Sequence, residues 1–232
     1  MSAEARAVTG RAQPLARVAK LSESACLRVG GIGARAARLS CDALAEAGAG
    51  ALLSIGCAAG LAKEAAPGTL VLPREMRAVE GQVFRADPEW RQALLEALAG
   101  EFSPLGGDIV GVNRVVGSSD KRILRERTGA IAADMESVTV AQEAERRGLP
   151  MVALRVISDA ASDDVPEAII TAVDDFGRPR YGALLAALVK SPRDAVAVSS
   201  LRKGFRQACG TLSRIAAIAG PAFCCPEGAG NG

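Results

Sequence analysis

Residues 149–159 read LPMVALRVISD, and this stretch decides the fold. Its centre, residues 151–157, is apolar except for Arg155, which predicts a strand buried on both faces, as in a largely parallel sheet covered by helices. Arg155 needs a partner or a ligand there, since an unpaired buried charge is costly. Ser158 and Asp159 end the strand at the edge where such sheets bind ligands. We therefore expect a catalytic group at Asp159, with a structural cap or turn as the alternative.

Shorter apolar runs alternate with Ala-rich helical stretches along the rest of the chain. Strands are predicted at 25–29, 51–55, 108–116 and 130–133, and helices at 34–47, 88–98, 120–127 and 135–147. The alternation predicts an α/β fold in a single domain, with a mixed, mostly parallel central sheet flanked by helices. We expect this domain to span residues 1–220, followed by a flexible Gly- and Pro-rich tail at 221–232.

The composition excludes several kinds of site. The 232 residues contain no histidine, which rules out a Ser-His-Asp triad, a Cys-His pair and an HExxH zinc site. The six cysteines form no CxxC pair, and we expect neither a metal nor an organic cofactor. A net charge of +2 gives no reason to expect nucleic acid as a partner. The start of the chain does not resemble a signal peptide, so we expect a cytoplasmic protein with reduced thiols.

Three further segments are candidates for contact with a ligand. The glycines of residues 30–33, Gly31 among them, would let a ligand approach the backbone at the start of a helix, although a tight turn explains them equally well. Residues 56–60 (GCAAG) are expected to form a loop in which Cys57 is either a ligand contact or a small buried hydrophobe. Asp134 is expected to cap the next helix, with Glu136 in its first turn facing a ligand.

Together these segments resemble the superfamily of purine nucleoside phosphorylases and methylthioadenosine nucleosidases. The resemblance is carried by ADMES at 133–137 and RVISD at 155–159, and by the glycine turn at 31–33, the loop at 56–61 and PGTLV at 67–71. It covers about residues 25–165. Residues 7–10 followed by Arg17, and the Arg-rich C-terminal helices, are most similar to the hopanoid-associated phosphorylases. Those enzymes are associated with removing adenine from adenosylhopane.

The resemblance implies cleavage of the N-glycosidic bond of a purine nucleoside. Asp159 would donate a proton toward N7 of the departing base, so it must be protonated or share a proton, and Ser158 would help to orient it. Glu136 would accept hydrogen bonds from the ribose hydroxyls, and Met135 would pack against the sugar. Cys57 occupies a position where the family commonly has Ser.

The choice between phosphorolysis and hydrolysis stays open at this point. Ser54 stands where hexameric phosphorylases have a phosphate-binding Arg, although Arg155 and Arg17 could still hold phosphate as a co-substrate, or Arg155 could help to place water. If residues 7–10 end a first strand, residues 14–15 fall where nucleosidases have the Glu that activates water. Glu4 would fill that role only under an alternative register. Residues 117–121 lack the Phe that usually stacks on the base.

Three interpretations of function follow. The favoured one is removal of adenine from adenosylhopane, a lipid-linked nucleoside. The second is cleavage of methylthioadenosine, adenosylhomocysteine or a simple purine nucleoside, and the third is a catalytically silent nucleoside-binding protein. The resemblance also implies a homo-oligomer.

The C-terminal part of the chain is expected to be helical from residue 179, with breaks at 191–192 and Gly204. The basic segment 201–218 would be an outer helix that packs on the sheet, or a helix resting on a membrane surface. The second interpretation would give the protein a peripheral contact with the inner face of the membrane.

Overall fold

The computed structural model describes residues 2–166 and 194–226. The described helices are α1 (Ser2–Thr9), α2 (Ala34–Glu46), α3 (Pro88–Leu98), α4 (Ser118–Thr128), α5 (Ser137–Arg147) and α6 (Asp194–Ala219). The described strands are β1 (Val18–Lys20), β2 (Cys26–Arg28), β3 (Leu52–Gly60), β4 (Leu70–Val71), β5 (Glu75–Ala78), β6 (Val83–Arg85), β7 (Ile109–Gly111), β8 (Ala132–Asp134) and β9 (Met151–Asp159).

The central sheet contains seven of the described strands, in the order β4-β9-β3-β8-β7-β5-β6. The pairs β3–β9, β5–β7 and β7–β8 are parallel, whereas β4–β9, β3–β8 and β5–β6 are antiparallel. Strands β1 and β2 form a separate antiparallel hairpin. Helices pack against this mixed sheet, so the predicted α/β fold in a single domain is confirmed.

The two longest strands, β3 and β9, form the centre of the sheet. They pair in parallel from Leu52 opposite Met151 to Ala59 opposite Asp159, with an irregularity between Ala58 and Ala59. Residues 151–157 are all buried, as their apolar composition predicts. The pairing brings the carboxyl ends of both strands to the same edge of the sheet.

The predicted loop at residues 56–60 is wrong, because these residues form the second half of β3. Strand β9 pairs with residues 56–59, and Ala59 and Gly60 pair with Ala133 and Ala132 of β8 on the other side. The small side chains allow close packing here: a Cβ atom on Gly60 would lie 2.3 Å from the carbonyl oxygen of Ala65. The segment GCAAG therefore marks tight packing beside a strand and not a turn.

The predicted strand end at residues 7–10 is also wrong, since residues 2–9 form helix α1. The helix ends at Thr9, whose hydroxyl donates to the carbonyl oxygen of Ala5 at 2.7 Å, and Gly10 follows with a φ of 71°. Helix α1 packs against α6 and buries Glu4 and Ala5. Three small side chains in its first five residues suit a helix that must pack this closely.

Helix α6 continues through Gly204, where the sequence predicted a break. Gly204 lies on the buried face of α6, and that face also carries Ala208, Leu212, Ile215 and Ala219. Arg202, Lys203 and Arg206 lie on the exposed face. The helix packs on β9, which fits the interpretation as an outer helix on the sheet. Helices predicted between residues 179 and 191, and the break at 191–192, lie outside the described residues.

The first residues of the predicted tail pack against the domain. Phe223 is buried, and its carbonyl oxygen accepts a hydrogen bond from the indole Nε1 of Trp90 at 2.7 Å. Residues 221–226, the start of the tail that the sequence predicts to be flexible, thus contact the domain, and residues 227–232 lie outside the described part. None of the described helices is both long enough and apolar enough to cross a membrane.

Candidate active site

A cavity of about 1630 Å³ opens between α1, α2, α6 and the edge of the sheet where β3 and β9 end. Four buried or largely buried carboxyl groups line it, Glu4 of α1, Asp134 of β8, Glu136 before α5 and Asp159 at the end of β9, and so does the exposed Glu23 of the β1–β2 hairpin. Ser158, Met135, Cys57, Gly31 and Arg155 line it as well. The structure thus brings seven of the eight predicted site residues to one cavity.

Asp159 is held by two side chains at the rim of this cavity. Its Oδ1 accepts a hydrogen bond from the Ser158 hydroxyl at 2.7 Å, and its Oδ2 accepts one from Lys121 Nζ at 2.6 Å. Ser158 Oγ also lies 3.3 Å from the carbonyl oxygen of Ala58. Asp159 is only 9% exposed, so its carboxyl is oriented by protein partners while one side still faces the cavity. The predicted orienting role of Ser158 agrees with this contact.

Lys121 was missed by sequence reasoning. It belongs to α4, whose other residues are exposed or partly exposed, yet its own side chain has no exposed surface. The resemblance matched residues 117–121 to the segment that contacts the base, but an isolated Lys in a polar helix usually faces solvent, so nothing in the sequence singled out Lys121 within it. Its burial is accounted for by the ion pair with Asp159, 38 residues away, and by hydrogen bonds to the carbonyl oxygens of Ala160 and Asp163.

Arg155 is buried at the base of the cavity, where its guanidinium group is bound by protein side chains. Its Nε and Nη2 both contact Asp134 Oδ2, at 2.7 and 2.6 Å, and Nη2 also donates to Ser54 Oγ at 2.6 Å. Burial lowers the pKa of Arg155, but the carboxylates of Asp134, Glu136 and Glu4 more than offset this and raise it. The buried charge thus has the partner that the sequence required. Ser54, which stands where hexameric phosphorylases have a phosphate-binding Arg, is one of the partners of Arg155.

Glu136 connects the end of β8 to helix α2. Its Oε1 accepts a hydrogen bond from the backbone N–H of Gly33 at 2.7 Å, at the start of α2. Burial and the neighbouring Asp134 carboxylate raise the pKa of Glu136 to about 6, against the lowering effects of Arg155 and of the Gly33 hydrogen bond. Helix α5 begins at Ser137, so Glu136 lies just before the first turn and not within it. Asp134 still caps the helix, because its Oδ2 accepts from the Ser137 N–H at 3.0 Å.

The glycine turn before α2 forms another part of the cavity wall. Gly31 and Gly33 have φ angles of 103° and 85°, a region that favours glycine. The Met135 methyl group lies 3.8 Å from the position that a Cβ on Gly33 would take. The segment is therefore a tight turn, and it also lines the cavity, so the two interpretations of its glycines are compatible.

Glu4 of helix α1 lines the cavity. It is 6% exposed, and its Oε1 accepts a hydrogen bond from the backbone N–H of Cys57 at 2.7 Å. The same oxygen lies 3.0 Å from the position of a Cβ on Gly56, so the glycine makes room for the carboxylate. The interpretation that left no N-terminal Glu at the site is wrong, because a helix and not a strand carries this residue.

Cys57 faces the cavity from β3 and contacts the thiol of Cys209 on α6. The hydrogen bond between the two thiols, burial and the carboxylate of Glu4 raise the pKa of Cys57 well above its ordinary value. Cys57 is therefore a neutral thiol at neutral pH, and it is both a cavity residue and part of the packing between β3 and α6.

Arg17 is the predicted site residue that the structure does not bring to the site. It is exposed and does not line the cavity. It lies just before β1, and its neighbour Val18 in the same hairpin does line the cavity. In the described residues, no group of three or more Cys, Asp or Glu side chains is arranged to hold a metal ion.

Comparisons with known proteins agree with this fold. The family model of the phosphorylase superfamily matches residues 14–191. No curated protein matches the chain. Among solved structures, a Helicobacter pylori 5′-methylthioadenosine/S-adenosyl homocysteine nucleosidase is similar with a TM-score of 0.65 and 14% identity over 93% of this chain and 92% of that one.

Two further structures are similar over the same fold. A Campylobacter jejuni 5′-methylthioadenosine/S-adenosyl homocysteine nucleosidase gives a TM-score of 0.61 and 17% identity over 92% of this chain and 96% of that one. A Helicobacter pylori futalosine hydrolase gives a TM-score of 0.54 and 20% identity over 75% of this chain and 77% of that one. With the family model covering most of its length, the chain belongs to the phosphorylase superfamily and is an enzyme of the nucleoside phosphorylase or nucleosidase type.

Proposed function

We propose that the protein hydrolyses the N-glycosidic bond of an adenine nucleoside, with adenosylhopane as the favoured substrate. The observation that carries the proposal is that Glu4, Glu136 and Asp159 line one cavity at the edge of the sheet. Cleavage of such a bond needs a proton for the departing base, groups that bind and position the sugar, and an activated nucleophile. The three carboxyl groups are suited to one task each.

Asp159 is the proton donor in this proposal. When the bond between C1′ and N9 breaks, its electrons pass to the purine, and protonation at N7 relieves the negative charge that develops there. Glu136 is the acceptor for the ribose hydroxyls, with Oε1 already held by Gly33 and the rest of the carboxyl facing the cavity. Met135 packs against the sugar on the same side.

Glu4 is the group that activates water. A carboxylate at this place can take a proton from a water molecule as the water attacks the anomeric carbon. Its Oε1 is fixed by the Cys57 N–H, which orients the carboxyl group in the cavity. Two observations speak against phosphate as the nucleophile: Arg155 is committed to Asp134 and Ser54, and Arg17 lies outside the cavity. We therefore favour hydrolysis over phosphorolysis, with no metal or organic cofactor.

The size and lining of the cavity support a substrate with a bulky apolar substituent. Ligand pockets for drug-sized molecules measure roughly 300–1,000 Å³, so 1630 Å³ is more than a simple nucleoside needs. Val8 of α1 and Val198, Leu201 and Phe205 of α6 contribute apolar wall. Arg202 lies beside them, and the exposed basic face of α6 suits contact with an anionic membrane surface from which a lipid substrate would be taken. Methylthioadenosine, adenosylhomocysteine or a simple purine nucleoside is the second candidate.

Adenine release tests both candidates. The protein is incubated with adenosylhopane, methylthioadenosine, adenosylhomocysteine and adenosine, each with and without phosphate, and free adenine is quantified. We expect release from adenosylhopane that does not depend on phosphate. Release from the small nucleosides alone would replace the favoured substrate by the second candidate, and phosphate-dependent release would contradict the role of Glu4. No adenine from any of the four would overturn the proposed function.

A pair of variants tests the water-activating role of Glu4. Glu4→Gln keeps the size and the contact with Cys57 but removes the base, so kcat should fall at least about 100-fold. Glu64→Gln is the matched control, since Glu64 is exposed and does not line the cavity. Equal activity of the two variants would exclude Glu4 as the base.

A further inference from the structure

The ammonium group of Lys121 is fully enclosed and uses all of its hydrogen-bonding capacity. It donates to Asp159 Oδ2 at 2.6 Å, to the Ala160 carbonyl oxygen at 2.7 Å and to the Asp163 carbonyl oxygen at 2.8 Å. A protonated lysine has three N–H donors, whereas a neutral one has two. Three acceptors therefore match the charged form, and they fix the ammonium in one position.

The segment that follows β9 is built around this ammonium. Asp163 Oδ2 accepts from the Ala160 N–H at 2.9 Å, and the Asp163 N–H donates to the Ala160 carbonyl oxygen at 3.0 Å, which closes a turn. Asp164 Oδ1 accepts from the Ser118 N–H at 2.7 Å and so ties the turn to the start of α4. Lys121 thus has a fixed support on both sides, and its contact with Asp159 is not that of a mobile surface lysine.

The contact decides which oxygen of Asp159 can carry a proton. An oxygen that accepts an N–H hydrogen bond at 2.6 Å from an ammonium cannot also carry a proton on that side. When Asp159 is protonated, the proton must therefore be on Oδ1. Ser158 Oγ lies within reach of Oδ1 and also of the Ala58 carbonyl oxygen, so its hydroxyl can turn to Ala58 and leave the Oδ1 proton directed at a ligand.

The same contact stabilises the carboxylate that is left behind. As the proton passes from Oδ1 to N7 of the base, negative charge develops on the Asp159 carboxyl, and a fixed positive charge 2.6 Å away compensates it. Interactions that strengthen as charge develops lower the barrier, above all in a site that excludes water. We propose that Lys121 is a positioning residue for protonation of the leaving base, acting through Asp159; this inference rests on the proposed function.

The test compares two leaving groups and two substitutions. Adenine needs protonation to leave, whereas 4-nitrophenolate leaves without it. We expect Lys121→Met to lower kcat for the best adenine nucleoside at least about 100-fold, with KM little changed, and to leave the cleavage of a 4-nitrophenyl riboside almost unaffected. Asp159→Asn should show the same pattern, and the double variant should be no slower on the adenine nucleoside than Asp159→Asn alone.

Two further variants separate this role from a purely structural one. Lys121→Gln keeps an N–H donor without the charge and should fold, as judged by circular dichroism and Tm, while it retains the leaving-group pattern of Lys121→Met. Lys63→Gln is the control, because Lys63 is exposed and does not line the cavity. Three results would assign Lys121 to the fold and overturn the inference. The first is an equal loss of kcat on both substrates, and the second is losses of kcat that add in the double variant. The third is that neither Lys121 variant folds. If the wild-type protein releases no adenine, the proposed function fails instead.

Discussion

At the scale of single residues, Glu136 gives the protein a stability that depends on pH in an unusual direction. Its pKa is raised from 4.5 to about 6, first by burial and then by Asp134. Between these values the folded protein binds more protons than the unfolded chain, so stability should fall as pH rises through this window and then level off. The shift corresponds to a loss of about 2 kcal/mol. The sequence has no histidine, so few other side chains titrate there.

Urea unfolding of the wild type and of Glu136→Gln at pH 4 and pH 7 checks this prediction. The variant has no carboxyl to ionise at this position, so the wild type should lose about 2 kcal/mol relative to it between the two pH values. A difference between the two proteins that stays constant, or that grows in favour of the wild type, would contradict the raised pKa.

The residue scale also separates what the sequence could predict from what it could not. Asp159 and Glu136 were identified because each follows a strand pattern within a motif, which is local information. Lys121 was not identified, and Glu4 was given only as an alternative, because their placement depends on contacts with residues 38 and 53 positions away. The local pattern around each gives no indication of where the side chain will point.

At the scale of elements, helix α6 crosses the end of β9 at a distance that only glycine allows. A Cβ on Gly204 would lie 2.2 Å from the carbonyl oxygen of Ser158, which is backbone and cannot turn aside. We therefore expect Gly204→Ala to destabilise the fold by about 1–3 kcal/mol and to lower activity, since the displaced residue precedes Asp159.

The same helix offers a matched control for this substitution. Gly210 also lies in α6, but a Cβ there would meet nothing within 4 Å. Gly210→Ala should stabilise the protein by up to about 1 kcal/mol, because alanine favours helix more than glycine does. Thermal unfolding of the two variants measures both effects. A Gly204→Ala variant as stable as Gly210→Ala would show that α6 does not approach β9 this closely.

The element scale shows why some boundaries were predicted and others were not. Helix α3 begins and ends where the sequence predicts, since Asp87 caps it through the Trp90 N–H and Pro88 suits its first turn. The second half of β3 was predicted as a loop because two glycines and small side chains resemble a turn, whereas pairing with β9 overrides that local preference. Helix α1 was misjudged for a similar reason, as packing on α6 decides its conformation.

At the scale of the whole molecule, alternating strand and helix patterns were sufficient to predict the fold class. The edge of the sheet that lines the cavity was predicted from β9, the strand with the clearest apolar pattern, whereas its partner β3 was predicted only as far as residue 55. The closure of the cavity by α1 and α6 could not be predicted, because it joins residues from the two ends of the chain. The homo-oligomer implied by the resemblance stays a prediction, which light scattering of the purified protein would check.

The proposed function depends above all on Asp159, which would donate a proton to the departing purine within this cavity. The most direct test is the rate of adenine release by Asp159→Asn beside the wild type, on the best nucleoside of the panel. We expect kcat to fall by about 100-fold to 10,000-fold while the variant keeps the wild-type Tm within a few degrees. A variant that releases adenine as fast as the wild-type protein would contradict the account.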